Sequence, residues 1–105
     1  MQKKIVSLPR LNNLSPTIES TAIKLMEEAG ELAQGIGKLR GMSGEIEKRE
    51  EKEVMNIIAR ELLDVAQTAV SMMFVLEEYY GVDLERAREE HIEKLVKKGY
   101  LKLDK

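Results

Sequence analysis

Two acidic clusters sit inside stretches that otherwise carry the apolar spacing of packed helices. They are Glu27-Glu28-x-x-Glu31 and, further along, Glu61-x-x-Asp64. Carboxylates are costly to bring to a packed face unless something neutralises them. Acids three residues apart share one helix face, so each cluster offers a pair of carboxylates to one side. Four or five carboxylates converging in a small protein make an oxygen-only donor set, the kind that suits a hard divalent cation such as Mg²⁺.

The surrounding pattern is helical. Ser15 reads as an N-cap, with Pro16 at the first helical position and Glu19 in the first turn. A first helix then runs to about Leu39, with its apolar seam at Ile18, Ala22, Leu25, Ala29, Leu32 and Ile36. Gly30, Gly35 and Gly37 weaken it, so packing must compensate or a neighbouring backbone must approach there. Gly41-Met-Ser-Gly44 is the clearest break, and the charged stretch Glu45–Glu53 is either loop or a solvated helix start. A long second helix reaches about Tyr80, with its seam at Val54, Ile58, Leu62, Val65, Ala69, Met72 and Leu76. From Val65 onward its other faces are apolar too, which favours a subunit interface in so small a chain. Gly81 reads as a C-cap, Asp83 as the next N-cap and Val82 as a hydrophobic staple to Ala87. A third helix runs from Leu84 to Lys98 and Gly99 ends it. Residues 1–14 form an arm that packs on the body. The expectation is an all-α antiparallel helical bundle, a single domain over residues 1–105, completed by oligomerisation.

Composition narrows the function. At 105 residues the core is thin, and association between copies is a common remedy. With aromatics at 4% and a net charge of −2, there is neither a stacking platform nor a basic surface for a nucleic-acid polymer. The absence of cysteine excludes disulfides and thiolate metal sites. The longest apolar run, Val70–Leu76, is broken by Ser71 and is too short to span a membrane. No leader-like apolar stretch opens the chain, so the expected location is the cytoplasm.

Helical phase sharpens the acidic pattern. At about 100° per residue, Glu28 and Glu61 each lie at the edge of their apolar seam, with Glu31 and Asp64 about 60° further round. Glu27 points most nearly away. An antiparallel hairpin with its turn centred at Ile46 sets Glu31 level with Glu61 and Glu28 level with Asp64. Left unneutralised, such carboxylates would raise each other's pKa values. The competing reading is that these are flanking charges of ordinary amphipathic helices.

Lys24-Leu-Met-Glu27-Glu28-Ala-Gly-Glu31-Leu32 followed by Glu61-Leu-Leu-Asp64-Val65 resembles the MazG-like all-α nucleoside triphosphate pyrophosphohydrolases, whose signature is EExxE, a variable spacer and ExxD. The resemblance covers about Ser15 to Tyr100. It implies a helical bundle that forms a homodimer or homotetramer, with Mg²⁺ (or Mn²⁺) held between helices. It also implies hydrolysis of the α–β phosphoanhydride of nucleotides to monophosphate and pyrophosphate. Carried over, Glu28, Glu31, Glu61 and Asp64 are metal ligands, and Glu27, Glu28 and Glu61 form the catalytic set. Glu27 binds a second metal or orients the attacking water. Phosphoryl chemistry of this kind needs charge neutralisation and in-line positioning more than covalent help.

Lys24 beside the first cluster, and the stripe His91, Lys94 and Lys98 on the third helix, are candidates for contacting phosphates. The alternative for the stripe is a solvated face with lysines at a helix C-terminus, where the helix dipole favours them. Three other functions compete with the leading one. Phosphoribosyl-ATP pyrophosphohydrolase shares the acidic pattern. A di-iron or di-manganese carboxylate bundle expects Glu-x-x-His pairs, but Arg88 stands three residues before His91. A non-catalytic oligomerisation module would gain stability when the acids are removed and would ignore Mg²⁺.

Overall fold

In a computed structural model, the chain is described at residues 1–39 and 51–103. These residues form three helices, α1 (Ile18–Leu39), α2 (Glu51–Tyr80) and α3 (Leu84–Lys97), and contain no strand. The all-α expectation holds. The turn at Gly41–Gly44, its centre at Ile46 and the charged stretch as far as residue 50 lie outside the described residues. No described helix is long and apolar enough to cross a membrane.

The start of α1 differs from the sequence expectation by two residues. Thr17, rather than Ser15, caps it. The Thr17 Oγ1 accepts from the Ser20 backbone N–H at 3.0 Å, and the Ser20 Oγ accepts from the Thr17 N–H at 2.9 Å. This reciprocal pair is a capping box with Ser in place of the usual Glu or Gln. It satisfies two backbone donors at once, which a Ser15 cap could not do because Ile18, three residues on, has no acceptor side chain. At the other junction, Gly81 takes a left-handed φ of 64° and the Val82 N–H reaches back to the Leu76 carbonyl. The Asp83 side chain then caps α3 by accepting from the Arg86 N–H at 3.0 Å. Gly99, at φ 80°, ends that helix with Tyr100 N–H bonded to the Leu95 carbonyl.

α1 packs lengthwise along α2, and the pairing is antiparallel. Thr21 shares a cavity wall with Ser71, while Gly35, towards the other end of α1, meets Glu61. α3 makes at most marginal contact with either. The face each helix offers its partner is rotated by about 60° from the apolar seam read in the sequence. On α1 the inward line is Thr21, Leu25, Glu28, Leu32 and Gly35, while Ala22, Ala29 and Ile36 are exposed. On α2 it runs through Val54, Ile57, Glu61, Thr68, Ser71 and Val75, and Leu62 is exposed. The polar residues therefore face inward between the helices. Leu62 of the seam is left exposed, as are Ile23, Met26, Leu63 and Met73, which lie outside it.

Little apolar surface is closed within one chain. Val54 and Val75 are the buried apolar residues among those described. The radius of gyration is 17.1 Å, against about 13 Å for a compact chain of this length. The molecule measures 47 × 43 × 21 Å and is flat.

The N-terminal arm packs only in part. Residues 1–7 are exposed, whereas Leu8, Leu11 and Pro16 are half-buried. Gln67 Nε2 donates to the Pro9 carbonyl at 2.8 Å. The Arg10 guanidinium forks onto the Glu78 carboxylate, one bond being Nη2 to Oε2 at 2.9 Å. The hydrogen bond from Arg10, reinforced by its charge, holds the Glu78 carboxyl below its ordinary range.

The capping box carries a prediction. Thr17→Ala destabilises the fold by about 1 kcal/mol, and Ser15→Ala changes it by much less. Urea unfolding of the two variants beside the parent checks this.

Candidate metal and nucleotide site

Helical phase and the α1–α2 contact together decide where each acid lies. Glu28 falls on the inward line of α1 and is 8% exposed, the deepest charged side chain among the described residues. Its carboxylate is held from one turn earlier by Lys24, with Nζ 3.0 Å from Oε1. That hydrogen bond and the charge of Glu28 raise the Lys24 pKa above its ordinary 10.5. The ammonium therefore stays charged throughout the neutral range.

Glu61 occupies the matching place on α2. Its Oε2 is buried without a hydrogen-bond partner. The same oxygen lies 2.8 Å from where a Cβ on Gly35 would stand. Gly35 therefore leaves a recess in α1 that the carboxylate fills. The sequence suggested that a neighbouring backbone comes close to this glycine; it is a carboxylate that does.

Glu28 and Asp64 line a common cavity with Lys24. Its volume is about 410 Å³, and its other walls are Thr21, Gln67, Thr68 and Ser71 from the helices and Leu11, Leu14 and Pro16 from the arm. The two threonine hydroxyls are committed to their own helices. Thr21 Oγ1 donates to the Thr17 carbonyl at 2.6 Å and Thr68 Oγ1 to the Asp64 carbonyl at 3.0 Å. Towards the cavity they can therefore act only as acceptors.

The remaining sequence candidates lie apart from this cavity. Glu27 and Glu31 are exposed and line none of its walls, and Glu61, turned to Gly35, lines none of them either. His91, Lys94 and Lys98 are exposed along and just beyond α3, away from the cavity within one chain. Lys98 Nζ lies 5.9 Å from the centre of the Tyr100 ring.

The fit of these residues to a divalent cation can be judged on three features. The donors are all carboxylate oxygens, which suits a hard ion. One of them, Glu61 Oε2, is buried and lacks any partner. Against this, among the described residues no three acidic or histidine side chains gather around one point. The reason lies in helix geometry. Side chains tilt towards the N-terminus of their own helix. In an antiparallel pair, acids at one level therefore lean in opposite directions, and Glu61 leans to Gly35 rather than to Glu31. Glu31 and Asp64 are exposed and free to turn. Closing a cation site from this set requires at least those two side chains to rotate.

Gly35, Thr21, Gln67, Thr68 and Ser71 were not singled out for the site from the sequence. The signal was present as seven-residue spacing: Thr21, Glu28 and Gly35 on α1, and Val54, Glu61, Thr68 and Val75 on α2. That spacing picks out Thr21, Gly35 and Thr68, and does not reach Gln67 or Ser71.

The two glycines of α1 give a contrast. A Cβ on Gly30 meets nothing within 4 Å, so Gly30→Ala stabilises by about 1 kcal/mol through helix propensity. Gly35→Ala must push the Glu61 carboxylate aside and gains less. Urea unfolding of both variants measures the difference.

Searches of curated proteins and of solved structures return no match. The family model described as the MazG nucleotide pyrophosphohydrolase domain matches residues 16–99, which span both acidic clusters and all three helices. With most of its length covered by that match, the chain belongs to the MazG nucleotide pyrophosphohydrolase family.

Proposed function

We propose that this protein is a Mg²⁺-dependent nucleoside triphosphate pyrophosphohydrolase, releasing a nucleoside monophosphate and pyrophosphate by attack of water. The observation that carries the reading is the buried, unpartnered Glu61 Oε2, one helical turn before Asp64, which walls a cavity together with Glu28. A buried carboxylate oxygen without a partner costs stability. Selection tolerates such groups where they serve a ligand. A cavity of about 410 Å³ lies within the range of small-molecule sites.

In this proposal Glu28, Glu61, Asp64 and, after rotation, Glu31 hold the cation. When bound, it would neutralise phosphate charge and lower the pKa of a water molecule. Glu28 and Glu61 fix the inner face of the site, and Lys24 offers its ammonium to phosphate oxygens. Glu27 lies on the far side of α1 by helical phase and stays outside the inner set. The cavity takes the nucleoside, with Thr21 and Thr68 as acceptors. His91, Lys94 and Lys98 reach phosphates only if a second copy brings its α3 to this cavity. The working location is the cytoplasm, where nucleoside triphosphates are found.

The outward apolar faces support assembly. Met55, Leu62 and Met73 fall within about 20° of one another on α2 and are each more than 40% exposed. A homodimer or homotetramer buries this stripe. Light scattering is expected to give a multiple of the 12.0 kDa chain mass, and Leu62→Glu to shift the population towards monomer.

The activity test is pyrophosphate release from a panel of canonical and modified nucleoside triphosphates and phosphoribosyl-ATP, with Mg²⁺, with Mn²⁺ and with chelator. Metal-dependent release is expected, and the preferred substrate separates a triphosphate enzyme from a phosphoribosyl-ATP enzyme. Glu61→Gln is expected to lower turnover at least 100-fold, as loss of a metal ligand would, with its helical circular dichroism unchanged. Full activity in that variant removes Glu61 from the site.

A further inference from the structure

One wall of the cavity comes from no helix. Leu11, Leu14, Ser15 and Pro16 close it from the arm, opposite Thr21, Thr68 and Ser71. This stretch belongs to neither helix nor strand, so its position depends on what holds its ends. Just before it, Pro9 and Arg10 are tied to α2 by the Gln67 amide and the Glu78 carboxylate. Just after it, the Thr17–Ser20 capping box fixes the chain to α1. Gln67 and Glu78 lie within about 20° of one another on α2, so both front ties come from one helix face.

The ties half-bury Leu11 and Pro16 but leave one apolar side chain of the strap open. Leu14 remains 66% exposed although it faces the cavity. An apolar side chain pinned beside a cavity, yet left accessible, is placed to meet a ligand. Gln67 also lines the cavity itself, and its amide leans on Ser71 Oγ at 3.5 Å. The front tie and the cavity floor therefore share a side chain.

We infer that Arg10, Glu78 and Gln67 are positioning residues that hold residues 11–16 as the nucleoside-facing wall of the cavity, and so set substrate affinity. The inference rests on the proposed function, because it assumes that the cavity takes the nucleoside. The acids lie on the helices, so loosening the strap leaves them in place. A loosened strap must be ordered again by each substrate that binds, which weakens binding. Contacts to the non-reacting part of a substrate act on ground state and transition state alike, so their loss raises KM and spares kcat.

The experiment compares the parent with Arg10→Glu, with Glu78→Arg and with the double swap carrying both. Each is assayed for kcat and KM on the best nucleoside triphosphate and for inhibition by inorganic tripolyphosphate, which has no nucleoside. The expected result is a KM raised about tenfold in each single variant, kcat within twofold, and an unchanged inhibition constant for tripolyphosphate. The double swap restores KM. An unchanged KM, a parallel loss of tripolyphosphate binding, or failure of the swap to restore KM overturns the inference while the functional reading stands. If the parent hydrolyses no nucleotide, the functional reading falls, and calorimetric titration with a nucleoside monophosphate decides the inference alone. Weaker binding by Arg10→Glu, recovered in the swap, sustains it. No binding by the parent, or equal binding by the variant, overturns it.

Discussion

Carboxylates placed inside the α1–α2 contact, the one substantial contact between the described helices, are the constraint to which the rest of the structure answers. Glu28 and Glu61 take positions that an ordinary hairpin would give to leucine. Each is accommodated by a specific neighbour. Lys24 supplies a counter-charge to Glu28 from one turn away. Gly35 removes a side chain so that the Glu61 carboxylate can lie against α1. With acids and hydroxyls interrupting Leu25, Leu32, Val54, Ile57 and Val75 on the inner face, apolar burial along that face is limited. Other apolar residues lie to the side and outside, where one chain leaves them open.

The helices themselves were readable because their signals are local. Apolar periodicity, Gly81, Asp83 and Gly99 each act within a few residues, and all three helices form within about two residues of where those signals place them. The start of α1 was misjudged because Ser15-Pro16 and Thr17-x-x-Ser20 both look like caps. Only the reciprocal bonds of the second make two pairs. The acids were legible as a pattern, and Glu28 and Asp64 do share a cavity. Their roll about the helix axis was not. Counting Leu62 and Ala29 into the seam assumed that the most apolar face meets the intramolecular partner. That assumption fails when the same helix has a polar duty on one side and an apolar one on another. The arm's contribution was also hidden, since Pro9–Gln67 and Arg10–Glu78 join segments remote in sequence and no local rule links them.

α3 stands in a different relation to the site. It is well capped at both ends and carries its own ion pairs, Arg86 with Glu90 and Arg88 with Glu85. Exposed i,i+3 and i,i+4 pairs of this sort do little more than support a solvated helix. Its charge pattern is therefore self-sufficient, and its orientation is not fixed by packing on the hairpin.

The separation in sequence of the arm's ties bears on the order in which the molecule assembles. Helices form from neighbours, whereas the strap's ties close loops of 58 and 68 residues. Loop closure of that length must wait until α2 exists to receive it. The outer wall is therefore the last element to settle and, being held by a few exposed bonds, the first to come away. Local opening of this kind needs far less free energy than global unfolding. The cavity can thus be uncovered and covered again while the hairpin that carries the acids stays folded.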